Sequence, residues 1–591
     1  MSVQSLIEQP PITDEEVIPS LEASAPLPLG GGGDVTVEQP IRITLETSSF
    51  LFTDELAEMP GVLSDALLAE SILDLRPDDG QASGEPVTQE LLAALPFDTV
   101  FQVDLEADLT SIDLEGDDWL ARADLETDAF SRSLLEAQAL RSADVVTSTL
   151  DLLNGLGSPL QLAVLPMTSA EAIQAFQMGE QRSSDDTAEK LALTGGRRVT
   201  PLTTEEVQSV LQRVQRASNY APYKLGALRM SFSSDAAAGS LNGEGFLDIT
   251  LVPAEGEVVG RRVMVDTGQF GERLRQWYGQ LAKQSPMDLA NPLAPARQLY
   301  DVLIRPMEQD INALGLTTLL LSADAGLQAV PFAALHDGQQ FLAERIGIAL
   351  TPSIGLMPLD VPPAGEKSQL RTGASRFDGL APLPLVPQEL DQLALEIPGR
   401  AFLDAAFTPE LLLEKAGDPA FQQVHVATHA EFLPGGPAKA QLYSGVGPMS
   451  LAEFSSLRQR RDGQPLDLFT LSACRTALGD KDSELGFAGL ALQAGSRSAI
   501  GTLWYVDDVA TSALFVQFYR YLDAGMPKAE ALQATRKAFA SGAVRLQGDA
   551  VIGTDGRALL SGLSQAQQRR VENGVTHPYF WGGMQLLGTP W

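Results

Sequence analysis

Apolar and polar positions change rhythm several times along this chain. From Val100 to Leu114 apolar and acidic residues nearly alternate, as in Val103-Asp104-Leu105-Glu106 and Ile112-Asp113-Leu114-Glu115. That period of two predicts a strand with one acidic face. Before it, Leu63–Leu73 has a short helical pattern within a segment broken by Pro60, Pro77 and Pro86. Residues 130–190 read as helices around one strand-like run at Leu160–Leu165. After a break at Thr194-Gly195-Gly196-Arg197-Arg198, Thr203-Thr204-Glu205-Glu206 opens a helix, with Thr203 and Glu206 spaced as a capping box. Leu228–Phe232 and Gly245–Val252 predict paired strands around the loop Ser233–Asn242, and Val258–Val265 continues them. Helices are expected at Gly268–Lys283 and, as one element, at Ala294–Leu314, with Pro295 in the tolerated first turn. Thr317–Ser322 is an apolar strand, and Leu327–Gly338 a turn with a short helix. Strands and helices then alternate to the end, which predicts an α/β fold with a mostly parallel sheet covered on both faces.

Composition sharpens the picture. A chain of 591 residues exceeds one core, so several domains are expected. Residues 1–130 hold 29 acidic residues against Arg42, Arg76 and Arg122, a net of −26 out of −36 for the whole chain. Residues 1–48, with scattered prolines and Gly30–Gly33, read as a disordered acidic arm. Such a field repels nucleic acid and anionic membrane, and its complement would be a basic protein partner. The N-terminus has no basic and apolar signal pattern. The longest charge-free apolar stretch, near Ile311–Ala323, has about 13 residues, short of a bilayer span. A single cysteine excludes a disulfide framework and fits a reducing, cytoplasmic setting. The four histidines lack zinc spacing, and no nucleotide-binding glycine motif is present, so neither metal nor cofactor is expected.

Candidate chemistry centres on that cysteine. Leu466–Cys474 reads as a buried strand that ends at the thiol, and Phe421–His429 as a strand that ends at an imidazole. Open α/β sheets place ligands at such carboxyl ends, and a lone Cys with a distant His is a candidate catalytic pair. The alternative is a buried cysteine acting as a small hydrophobe.

Four segments occur in order: Val424–Ala430, Leu471–Thr476, Gly495–Asp508 and His577–Trp581. Together with Val330–Gly338 they resemble the CHAT domain, a caspase-like family of the caspase, gingipain and separase clan that is common in cyanobacteria. The resemblance covers about residues 200–591. It implies a cysteine endopeptidase with His429 and Cys474 as the dyad, and an oxyanion hole made by the backbone N–H groups of Ala430 and Cys474. It also implies a caspase-like, mostly parallel sheet with helices on both faces, preceded by a smaller α+β region. The family usually has Gly where Ala430 stands; were that position to need a positive φ, Ala would be disfavoured by roughly 1 kcal/mol. Arg475 stands where the family usually has Glu. His425, four residues before His429, reads as a core histidine, and His336 and His577 as structural.

Substrate choice follows less directly. Ser472 stands where metacaspases carry a pocket Asp. Asp507 and Asp508 resemble the separase arrangement in which an acid meets an arginine before the scissile bond, and a helix N-terminus explains them equally well. Asp480, Asp482 and Glu484 follow the nucleophile and are further candidates for the pocket. The expected organisation is an arm (1–48), an acidic region serving as a pro-region (49–195), the first half of the CHAT region (196–360) and its catalytic half (361–591). Self-processing is expected at Arg197-Arg198, or in a loop carrying Arg458, Arg460 and Arg461. The competing reading is a catalytically weak scaffold that recruits partners.

Overall fold

A computed structural model describes residues 21–23, 41–47, 71–77, 163–190, 201–233, 244–324, 327–362, 367–377, 380–432, 440–473, 495–504 and 507–591. The chain divides into two units, Met1–Glu115 and Gly116–Trp591. In the first, Leu21–Ala23, Ile41–Thr47 and Ser71–Pro77 form an antiparallel three-stranded sheet. Of the helical pattern predicted over Leu63–Leu73, Ser71–Leu73 is strand instead, and residues 63–70 lie outside the described residues. Alternation in Leu73-Asp74-Leu75-Arg76, with Pro77 next, suits a pleated ribbon. The alternating segment Val100–Leu114 lies outside the described residues.

The second unit is built on a twelve-stranded sheet. In chain order its strands are β1 Val164–Met167, β2 Leu225–Ser233, β3 Glu244–Pro253, β4 Val259–Asp266, β5 Thr318–Ala323, β6 Gly347–Thr351, β7 Gln369–Gly373, β8 Gly399–Leu403, β9 Gln423–Ala427, β10 Leu468–Ser472, β11 Ser498–Thr502 and β12 Met584–Gly588. Across the sheet they run β8-β7-β9-β10-β11-β12-β6-β5-β2-β3-β4-β1. The pairs from β8 to β11 and from β12 to β2 are parallel. Only β11–β12 and the β2-β3-β4-β1 end are antiparallel. Every residue of β5, β6, β7, β9, β10, β11 and β12 is buried, so both faces of the sheet are covered.

The covering helices are α1 Ser169–Lys190, α2 Thr204–Ala217, α3 Thr267–Ala282, α4 Pro295–Leu303, α5 Arg305–Leu314, α6 Val386–Glu396, α7 Asp508–Asp523, α8 Lys528–Ala540 and α9 Gln565–Val571. Thr203 and Glu206 cap α2 reciprocally, as their spacing predicts. The helix expected over Ala294–Leu314 is two helices that meet at Ile304. Pro306 has no N–H to continue the ladder and crowds the residues before it, so the chain restarts there.

Strand β1 and helix α1 precede the Gly-rich break yet belong to this sheet. Arg229, fully buried on β2, donates to Gly179 O at 2.9 Å and to Ser183 Oγ at 2.7 Å, and it pairs with Asp324. Glu180 on α1 accepts from Ile354 N at 2.8 Å and Ser353 Oγ at 3.0 Å. Buried charges require this degree of pairing, and here it fixes α1 to the sheet.

Candidate active site

Parallel register brings the two motif strands together. Ala427, the last residue of β9, pairs with Ser472, the last of β10, and Thr428 N donates to Ser472 O at 3.2 Å. His429 and Cys474 each follow that pair by two residues in sequence. Beyond the strand ends lies a cleft of about 420 Å³, its open mouth included. Leu383, Leu385, Val386, Thr428, His429, Ser472, Ala473, Asp508, Thr511 and Ser512 wall it, with Glu389. The chain passes from Ala473 directly to Cys474, which lies outside the described residues together with Arg475, Asp480, Asp482 and Glu484.

His429 is held on two sides. Its ring lies 4.7 Å from that of Phe377, and Nε2 sits 2.8 Å from Ala381 O. A carbonyl only accepts, so Nε2 carries the proton, and in the neutral ring Nδ1 is the acceptor. The loop that supplies Phe377 and Ala381 is tied to the sheet. Ala374 N donates to Ala427 O at 3.0 Å, and Leu383 N to Ser375 O at 3.0 Å. Ser375 donates through N and Oγ to Asp404 Oδ1, at 2.7 and 2.9 Å. Asp404 has φ of 50°, a left-handed conformation that aspartate tolerates better than most residues.

Ala430 begins the strand Ala430–Phe432, at the edge of a small antiparallel sheet with Ala440–Ser444 and Gly447–Ser450. Its φ is not positive, because the non-glycine residues with positive φ among those described are Gln284, Asp404 and Asp462. The penalty expected for alanine at this position therefore does not arise: an extended residue carries a Cβ without strain. Ala430 faces Leu442, and Tyr443 N donates to His429 O at 3.0 Å. That bond marks Ala430–Leu442 as a wide pair, so the Ala430 N–H points away from its partner strand.

His425 lies on the same strand but belongs to the interior. It is fully buried, its Nε2 is 2.8 Å from Glu389 Oε1, and it packs against the rings of Phe515 and Tyr519. The other oxygen of Glu389 accepts from Ser512 Oγ at 2.6 Å. Glu389 is thus a cleft-lining acid that the sequence reading missed. It lies in the first turn of α6 between Gln388 and Leu390, and only the tertiary fold brings it beneath the strand ends.

Asp507 and Asp508 sit at the start of α7. Asp507 is buried, and as N-cap its Oδ1 accepts from Ala510 N at 2.9 Å. Its Oδ2 is 3.2 Å from Arg570 Nε, and Asp508 Oδ1 accepts from Arg570 Nη2. Of the two, Asp508 lines the cleft. Arg570, on α9, was not singled out from the sequence.

The remaining histidines hold loops. His577 Nδ1 accepts from Tyr579 N at 3.1 Å, and Nε2 donates to Ser285 O at 3.3 Å. His336 Nδ1 accepts from Gly338 N at 3.0 Å. Burial holds both rings below the ordinary histidine pKa. The segment expected to be a loop with Arg458, Arg460 and Arg461 is instead a short helix, Leu457–Arg460. Arg461 is buried and donates to Ala416 O and Asp418 O, which removes it as an accessible cleavage site. Arg197 and Arg198 lie outside the described residues. Among the described residues no group of three His, Cys, Asp or Glu side chains could hold a metal ion, and no helix is long and apolar enough to cross a membrane.

No curated protein matches the chain. Among solved structures, it is similar to the Saccharomyces cerevisiae separase–securin complex in two crystal structures, at 2.6 and 3.0 Å resolution. The identities are 11% and 10%, and the TM-score is 0.41 for both. The match covers 78% of this chain and 36% of the yeast chain, so this chain spans little more than a third of that protein's length. The CHAT domain family matches residues 293–589, half of the sequence, a span that includes β9, β10, β11 and β12 and the cleft beyond the ends of β9 and β10. On that match, the chain belongs to the CHAT domain family.

Proposed function

We propose that the chain is a cysteine endopeptidase that cleaves a protein substrate with Cys474 as nucleophile and His429 as its acid–base partner. The observation that carries this reading is the cleft at the carboxyl ends of β9 and β10. His429 is oriented in its wall, and Ala473 leads straight to the thiol-bearing position. In this mechanism His429 Nδ1 takes the thiol proton. The thiolate adds to the scissile carbonyl, and the imidazolium returns the proton to the leaving amine. The backbone N–H groups of Ala430 and Cys474 would stabilise the oxyanion. Ala430 suits that role, since its N–H points away from its hairpin partner. Water then hydrolyses the thioester and restores the thiol.

Any cut at Arg197-Arg198 would nick the chain without releasing everything upstream. Helix α1 stays attached through Glu180, Gly179 and Ser183. A pro-region, if one is shed, would lie upstream of β1.

The test is labelling with a thiol-directed activity probe, compared across the wild type, Cys474→Ala and His429→Ala. Labelling of Cys474 that depends on His429 is the expected result. Labelling that persists at the free-thiol rate in His429→Ala would favour a scaffold built on the same fold.

A further inference from the structure

We propose that Arg570 is a specificity-determining residue. It neutralises the acidic corner of the cleft, so that an uncharged side chain is selected at the residue before the scissile bond. The inference rests on the peptidase reading above. Among the described residues two acids line the cleft, and this chain's own groups already engage both. Glu389 spends one oxygen on His425 and the other on Ser512. Asp508 contacts the Arg570 guanidinium, which also reaches Asp507.

Among the described residues the charge balance at the start of α7 is close to even. Two carboxylates face one guanidinium and the partial positive charge of the helix N-terminus, roughly half a unit, and Asp507 is bound to that terminus as its N-cap. The three side chains are 6% (Asp507), 25% (Asp508) and 13% (Arg570) exposed, so water screens the contact only in part. A substrate arginine entering here would have to displace Arg570 from a partly desolvated pair, which gains little. An uncharged side chain meets no such competition and has Leu383, Leu385, Val386 and Thr511 to pack against. Selection works by what the site withholds from the wrong side chain as much as by what it offers the right one. The acidic pair that suggested a basic preference in the sequence therefore acts in the opposite sense.

The experiment uses the full chain and two peptide aldehydes, acetyl-Leu-Leu-argininal and acetyl-Leu-Leu-norleucinal. The Cys474 sulfur adds to the aldehyde carbon and the thiol proton passes to the new hydroxyl, giving a reversible hemithioacetal that protects the thiol from a labelling probe. Wild type should be protected at least tenfold more effectively by the norleucinal. Arg570→Met should narrow or reverse that ratio by tenfold or more, while Arg570→Lys keeps it close to wild type. Asp508→Asn, which removes the cleft charge and retains Arg570, should steepen discrimination against the argininal. It decides the matter if Arg570→Met fails to fold. An unchanged ratio in folded Arg570→Met, a wild-type preference for the argininal, or an unchanged ratio in Asp508→Asn overturns the assignment of Arg570 alone. Absence of any Cys474 labelling overturns the peptidase reading and this inference with it.

Discussion

The two ends of strands β9 and β10 carry similar chemistry put to different uses. At the carboxyl ends, His429, Asp508 and Glu389 line an open cleft. Just before the start of β10, Asp467 is buried between two lysines: Lys528 Nζ lies 3.0 Å from Oδ1 and Lys367 Nζ 2.8 Å from Oδ2. Burial alone would raise the Asp467 carboxyl, but the two lysines outweigh it and hold it at about 2. Lys528, fully buried, is pushed down to about 8 by desolvation against the pull of Asp467. One end buries its charges inside the structure, and the other sets them in the wall of an open cleft. Ion pairing alone therefore does not distinguish a site from a staple; access does.

The largest effect should come at the cleft. Cys474→Ala and His429→Ala should each lower peptide cleavage by roughly 10³-fold or more while leaving the unfolding transition in place, measured as kcat/KM beside a denaturation curve. At the opposite end the pattern should reverse. Asp467→Asn leaves Lys528 buried without its charge partner and should cost about 3–5 kcal/mol in chemical denaturation, with activity of the folded fraction unchanged. Retained stability in that variant would erase the contrast between the two ends.

Acid should strike the staples in sequence. His336 and His577 have folded pKa values below the ordinary 6.5, so the unfolded chain binds more protons as pH falls below 6.5, and stability declines there. Asp467 has a folded pKa near 2 against 3.8, so its contribution, about 2 kcal/mol, is present above pH 4 and is lost between pH 4 and 2. Equilibrium unfolding across this range should show both phases, and His577→Gln should reduce the first.

The smallest effect belongs to Ala430→Gly. In an extended strand without positive φ, glycine should cost below about 1 kcal/mol and bring no gain in turnover. A large rate increase would mean that the oxyanion donor needs a conformation alanine denies it.

Much of the C-terminal half could be read from the chain. The runs Phe421–His429 and Leu466–Cys474 read as strands ending at an imidazole and a thiol; β9 and β10 lie within them, end two residues earlier at Ala427 and Ser472, and pair in register. The helix expected over Ala294–Leu314 failed because its apolar spacing continues through Pro306, whose effect is on the backbone rather than on the pattern. Glu389 and Arg570 were missed because each sits in an ordinary amphipathic helix, where a charged residue reads as solvent-facing. The sequence by itself determined the order of the elements, the family and the candidate nucleophile, since these depend on local periodicity and short motifs. Only the tertiary structure decided that α1 is fixed to the sheet, that Ala430 is extended, and that Arg570 holds both aspartates. Those outcomes depend on contacts between residues tens to hundreds of positions apart, and no local pattern encodes a partner at that distance.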